Sequence, residues 1–233
     1  MTRLLVHVEG ETEETFVTEV LRPHLYGFGY RRIDARLLGN TRLRSRRGGI
    51  RPWPSAKVDI LRHLTEDREC LATTMVDFYG LPQGEGRAWP GRSAVAGLPL
   101  ADKPRIVEEA ILSDIEQAGG YQVARRLLPF VIMHEFEALL FSDCQTFARG
   151  IGHAGLAPKF QAIRDQFDTP EAINDSPETA PSKRVEQLVP GYEKPLLGTI
   201  AAIDIGLGAI RAACPHFRQW LERLEAWPGG AGG

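Results

Sequence analysis

The sequence predicts an α/β fold: a parallel sheet flanked by helices, with a helical C-terminal elaboration. Short apolar, β-prone runs at residues 4–8, 71–76 and 127–133 each end at or close to an acid. Strand and helix patterns alternate through residue 141, and only helical patterns follow. Strands joined through helices pair in parallel, which places their carboxyl ends along one edge of the sheet.

The first strand, Leu4-Leu5-Val6-His7-Val8, runs directly into Glu9-Gly10-Glu11-Thr12-Glu13. A helix is expected over residues 12–25, with Thr12 as its cap and Pro23 helping to close it. Glu13 and Glu14 then lie in the first turn, where the macrodipole favours negative charge, and Glu11 is read as structural with them. Glu9 has no such explanation and is placed like a site residue. Residues 32–38 alternate as a short strand. A helix over 56–64 is expected behind Ser55, with Val58, Ile60, Leu61 and Leu64 near helical spacing.

The second buried strand, 71–76, ends at Asp77. Residues 80–104 are rich in Gly and Pro, carry Arg87, Trp89 and Arg92, and read as a long loop. A helix over 103–117 buries Ile106, Val107, Ala110, Ile111 and Ile115 and stops before Gly119-Gly120. The run 127–133 is a third strand leading into His134-Glu135-Phe136-Glu137. Helices are expected at 137–141, 144–148 and 158–167, from Ser182 onward, at 197–213, and at 215–227 with Pro215 in a first turn.

A chain of 233 residues holds one sizeable core, so a single compact unit is expected: an α/β core over 1–150, a helical part over 151–228 packed on it, and a flexible tail at 229–233. The 43% hydrophobic and 25% charged content is that of an ordinary globular protein. No apolar run approaches membrane-spanning length and the N-terminal run is cut short by Glu9, so a soluble cytoplasmic protein without a membrane partner is expected. Cys70, Cys144 and Cys214 are widely separated and form no CxxC pair, which suggests buried small hydrophobes rather than a disulfide or zinc framework.

The net charge of -2 conceals a basic run. Between Arg31 and Arg51 there are eight arginines, including Arg42, Arg44, Arg46, Arg47 and Arg51, against the single acid Asp34. Every basic residue in this run is arginine, whose planar fork suits phosphate, so a nucleic-acid backbone is the expected partner; the alternative is a solvated charged loop, or one paired with acids elsewhere in the chain.

Three strand ends therefore carry acids: Glu9, Asp77, and Glu135 with Glu137. Two unit charges about 4 Å apart at an effective dielectric of about 20 repel by roughly 4 kcal/mol, so converging carboxylates require a cation. Oxygen donors from Asp and Glu suit Mg²⁺ or Mn²⁺, the ions of metal-assisted phosphodiester cleavage. The competing explanation is neutralisation by Arg or Lys. His134 reads as a hydrogen-bonded structural residue. The chain lacks a GxxxxGK[ST] loop, a GxGxxG after the first strand and a GxSxG elbow, which removes the usual signals for nucleotide hydrolysis, dinucleotide binding and serine hydrolysis.

The Glu9-Gly10-Glu11-Thr12-Glu13 and Asp77-Phe78-Tyr79-Gly80 stretches resemble the Toprim fold of topoisomerases, primases and overcoming-lysogenization-defect nucleases. Asp77-Phe78-Tyr79-Gly80-Leu81-Pro82, His134-Glu135-Phe136-Glu137-Ala138-Leu139-Leu140 and Ser182-Lys183-Arg184 together resemble an uncharacterised Toprim-like family of phage-defence operons, including abortive-infection systems. This resemblance implies a Toprim-like core and a nuclease, a hydrolase acting on DNA or RNA alongside a partner ATPase of the AAA or ABC type. It implies that Glu9 acts on metal or as general base, that Asp77 is a Mg²⁺ ligand, and that Lys183 and Arg184 match a basic motif suited to clamping phosphate. Toprim domains usually carry a second acid two residues after the first, where this chain has Tyr79. Either Glu135 or Glu137 supplies that carboxylate, or one metal binds, or the module is catalytically degenerate and only binds nucleic acid or a partner protein.

Overall fold

The structure is a computed structural model that describes residues 2–38, 50–174 and 179–230. In chain order its strands are β1 (Arg3–Val8), β2 (Arg32–Leu37), β3 (Cys70–Asp77), β4 (Leu127–Leu128) and β5 (Val131–Ile132). Its helices are α1 (Glu11–Phe16), α2 (Arg22–Leu25), α3 (Trp53–Glu66), α4 (Lys103–Gly119), α5 (Tyr121–Ala124), α6 (Glu137–Leu140), α7 (Cys144–Gly150), α8 (Ala157–Arg164), α9 (Pro181–Leu188), α10 (Thr199–Ala213) and α11 (Pro215–Gly230). The chain divides into two compact units, Met1–Gly10 with Leu25–Val131, and Glu11–His24 with Ile132–Gly233.

The first unit is built on the sheet, whose order is β2-β1-β3-β4 with β5 pairing β3. β1 pairs in parallel with β2 and with β3, and β3 in parallel with β4. Every residue of β3 from Cys70 to Val76 is buried, as expected of a strand covered on both faces. The expected third strand is broken in two at Pro129, which has no N–H to give a ladder. Threonines of β3 take over there. The Thr73 hydroxyl donates to Leu128 O (2.6 Å), while Thr74 Oγ1 donates to Phe130 O (2.8 Å) and accepts Phe130 N–H (2.9 Å).

Two helix starts differ from expectation. Thr12 lies inside α1, which begins at Glu11, so it is not a cap. The helix α3 begins two residues before Ser55, behind Pro52 and with Pro54 in its first turn. At the other end of α3, Arg126 closes the helix: its Nη2 donates to Leu64 O (2.6 Å) and its Nη1 to Asp67 O (2.9 Å).

The second unit is helical. Phe16 meets Phe136 and Phe217 edge-on at 5.4 and 6.2 Å between ring centroids, and Phe147 stacks on Phe160 at 4.6 Å. The buried carboxylate of Glu171 accepts the His216 and Phe217 N–H groups (3.0 and 2.8 Å), satisfying donors that the first turn of α11 leaves orphaned. The helical run Lys194–Ala213 is long and apolar enough, by length and composition alone, to cross a membrane, and 28% of its 18-residue apolar window is buried. It starts earlier than the expected helix over 197–213 because a five-residue π-helical segment, Lys194–Gly198, precedes α10. Ala201, Ala202, Ile205 and Ile210 face inward and the helix bends at Gly206, whose φ is 73°.

All three cysteines are buried and free. Burial pushes the Cys144 thiol up to about 11 and Cys214 up to about 12, so neither is a thiolate near neutrality.

His7 in β1 is fully buried and stacks on His63 of α3 at 5.3 Å. Desolvation, followed by the charges of His63, Arg36 and Arg51, lowers its pKa from 6.5 to about 3. Below about pH 6.5 the unfolded chain therefore takes up a proton that the folded chain refuses, and stability falls until the pH nears 3. Urea unfolding between pH 6 and pH 4 should show the wild type losing about 1.4 kcal/mol per pH unit more than His7→Leu. Parallel pH profiles for the two proteins would contradict this origin of acid sensitivity.

Candidate functional site

In the first unit, Val8 and Met75 are partners in the β1–β3 register. Glu9 follows β1 directly and Asp77 closes β3, so both acids stand at the carboxyl edge of adjacent parallel strands. The chain leaves β1 for β2 on one side and returns as β3 on the other, with β4 beyond. The crevice outside β1 and β3 is therefore the topological switch point, the position at which open α/β sheets bind ligands.

Local structure locks the pair together. The Asp77 N–H donates to Glu9 Oε2 at 3.2 Å. A single 3-10 turn, Phe78–Gly80, follows, pinned by Phe78, which is buried. A Cβ at Gly80 would lie 2.5 and 2.6 Å from the two carboxylate oxygens of Glu9. The turn thus wraps against that carboxylate, and only glycine leaves it room.

Glu135 and Glu137 belong to the second unit, where the chain passes from β5 to α6 through His134, held at a left-handed φ of 71°. Glu135 Oε2 accepts the Ser182 N–H (2.9 Å). The Lys194 ammonium lies 3.1 Å from Glu137 and 3.5 Å from Glu135. Glu137 is almost wholly buried, and desolvation raises its pKa against the opposing pull of Lys194. Burial, with help from Glu137 and Glu135, also drives the Tyr192 hydroxyl upward. The cation expected beside these acids is thus supplied by a lysine 57 residues away in sequence from Glu137. Nothing in the local pattern around Lys194 announced it.

Lys183 and Arg184 occupy the first turns of α9. Lys183 pairs with Glu186 (2.6 Å), while Arg184 Nε donates to Thr179 O (2.8 Å) and its guanidinium lies 5.2 Å from the centre of the Phe167 ring. Of the basic run, Arg42, Arg44, Arg46 and Arg47 fall outside the described residues. Arg51 is described: its Nε donates to Leu38 O (3.0 Å) and its Nη2 pairs with Asp59.

Among the described residues, no group of three or more His, Cys, Asp or Glu side chains is gathered as a metal cage. Glu9 and Asp77 nevertheless fit Mg²⁺ as two hard oxygen donors, because this ion is commonly held by one or two carboxylates and keeps several waters. The cradle at Gly80, which a Cβ would fill, agrees with that fit.

The sequence places Arg92 in the long loop after β3 without giving it a role. Its Nε donates to Phe78 O (3.0 Å), and its guanidinium lies 3.9 Å from the centroid of the Phe78 ring, immediately beside the Asp77 turn.

A family model described as "Domain of unknown function (DUF4276)" matches residues 8–225. No curated protein matches. Among solved structures, the C-terminal region of the Burkholderia pseudomallei OLD protein is similar at 15% identity, covering 96% of this chain and 97% of that one with a TM-score of 0.49. The C-terminal region of the Xanthomonas campestris pv. campestris OLD protein is similar at 16% identity, covering 95% and 97% with a TM-score of 0.38.

Because the nearest atoms to a Gly80 Cβ are the movable end of Glu9, Gly80→Ala should cost little stability while displacing the carboxylate. Its melting temperature should stay within about 4 °C of wild type, a change of about 1 kcal/mol or less. Mn²⁺ affinity should fall about tenfold or more. Unchanged Mn²⁺ binding in a folded Gly80→Ala protein would refute the cradle.

Proposed function

The chain belongs to the DUF4276 family, whose description assigns no chemistry, and from its own site we propose that it is a Mg²⁺-dependent nuclease hydrolysing phosphodiester bonds in DNA or RNA. The observation that supports this most is the Glu9–Asp77 pair at the switch point of the sheet, closed over by the Gly80 turn. Mg²⁺ or Mn²⁺ bound there would supply Lewis acidity and would activate a water. Glu9 and Asp77 would hold and orient the ion, and the peptide N–H of Asp77 fixes the direction of the Glu9 carboxylate. Lys194 provides the positive charge that Glu135 and Glu137 require, so in this reading the divalent ion belongs to Glu9 and Asp77.

Lys183 and Arg184 are the further cations proposed to face phosphate, and Arg42, Arg44, Arg46 and Arg47 are proposed to follow the backbone of the nucleic acid. Arg51 takes a supporting part, since its guanidinium is engaged by Asp59 and Leu38. A neighbouring ATPase partner and a place in antiviral defence of the abortive-infection type complete the proposal, on the strength of the sequence resemblance.

A second reading is favoured by Tyr79, which stands where the Toprim pattern has an acid. In it the fold binds nucleic acid or a protein partner without chemistry. Mn²⁺ titration separates the two: a hydrolytic site binds the ion in a Glu9- and Asp77-dependent way, and a degenerate one does not.

The direct test is cleavage of labelled DNA and RNA by purified protein, alone and with its ATPase partner, in Mg²⁺ or Mn²⁺. Glu9→Gln should lower the rate about 10³-fold, the several kcal/mol that metal-ion catalysis contributes. Equal activity in that variant removes the proposed site.

A further inference from the structure

The segment Trp89-Pro90-Gly91-Arg92 lies in the long Gly- and Pro-rich stretch after β3, yet it is firmly placed. Trp89 is buried, its indole N–H donates to Arg51 O (3.0 Å), and its ring lies 4.8 Å from that of Trp53. Gly91 has a φ of 73°, and a Cβ there would come within 2.8 Å of the Val107 Cα. The loop therefore presses its backbone onto α4 at a position open only to glycine. Arg92 is the next residue, and two neighbouring anchors determine where it projects.

Its surroundings differ from those of the arginines that pair with acids. Arg3 faces Asp67, Arg51 faces Asp59 and Arg211 faces Glu225. Among the described residues, Arg92 makes no ion pair with a carboxylate. Among the described residues its one side-chain hydrogen bond uses Nε, to the carbonyl of Phe78, and the Phe78 ring supports its guanidinium plane. Burial lowers its pKa, with Tyr79 pulling the other way. A desolvated guanidinium without a counter-ion is costly. Its Nη groups, which form the outer part of the fork, make no hydrogen bond among the described residues. Such a fork binds two oxygens of one phosphate.

We propose that Arg92 is the phosphate-binding residue of the Glu9–Asp77 edge, gripping a non-bridging oxygen pair of a nucleic-acid backbone presented to that edge. The proposal rests on the nuclease reading for the identity of its ligand. It is nevertheless a statement about binding, and binding is measured without cleavage.

The full chain carrying Glu9→Gln, with and without Arg92→Gln or Arg92→Lys, is titrated into labelled single-stranded DNA and RNA oligonucleotides in Mg²⁺ at several salt concentrations. Arg92→Gln should weaken affinity about tenfold and reduce the salt slope by about 0.7, the share of one phosphate contact on a single strand. Arg92→Lys should keep the salt slope and lose affinity severalfold, because a point charge replaces the fork. Melting temperatures identify any variant that has unfolded, and Arg92→Lys carries the test if Arg92→Gln does. Wild-type affinity in a folded Arg92 variant overturns the proposal, as does failure of the parent protein to bind either oligonucleotide. Arg92-dependent binding together with absent cleavage by the wild type would instead defeat the nuclease reading and leave Arg92 as an anion site.

Discussion

Placing β1 in the middle of the sheet, with β2 on one side and β3 on the other, forces two acids to the same edge. Glu9 ends one strand and Asp77 the next, and like charges brought close in a partly buried place repel. The surrounding structure handles this in ways that preserve the pair. A peptide N–H is aimed at the Glu9 carboxylate, and a glycine closes the turn where any side chain would collide. Below that edge, β3 is buried from Cys70 to Val76 and its threonines patch the ladder that Pro129 interrupts, so the platform carrying the acids is stiff.

The second unit meets a similar problem differently. Glu135 and Glu137 are backed by the Lys194 ammonium and by the Ser182 N–H, which is the arrangement of a structural ion pair. Glu9 and Asp77 stand instead at the switch point of the sheet, against the Gly80 turn. That position is the reason the metal proposal centres on Glu9 and Asp77, and it gives Tyr79 a different weight. With two hard donors and several waters, a magnesium ion does not require a third acid at that position.

Much of this was legible in the sequence where the signal was local. The runs at 4–8 and 71–76 read as strands because they are short, apolar and bounded by acids or glycine, and parallel pairing followed from the alternation with helices. The reading failed where the cause was non-local. The run 127–133 looked continuous because periodicity does not show that Pro129 withholds a donor, or that Thr73 and Thr74 from another strand repair the loss. Thr12 and Ser55 looked like caps by residue type, but the helices start before them. The roles of Lys194 and Arg92 were not legible for a related reason. Each depends on contacts that only the fold makes: with Glu137 for Lys194, and for Arg92 with the Phe78 ring, its loop being held by Trp89 on Arg51 and by Gly91 on Val107.

The central claim is that the divalent ion belongs to Glu9 and Asp77. The measurement that reaches it most directly is anomalous scattering from crystals of the protein soaked in Mn²⁺. A peak about 2.0–2.2 Å from oxygens of both Glu9 and Asp77 is the predicted result. A peak between Glu135 and Glu137 with Lys194 displaced, or an ordered Glu9–Asp77 pair without a peak at saturating Mn²⁺, would contradict it.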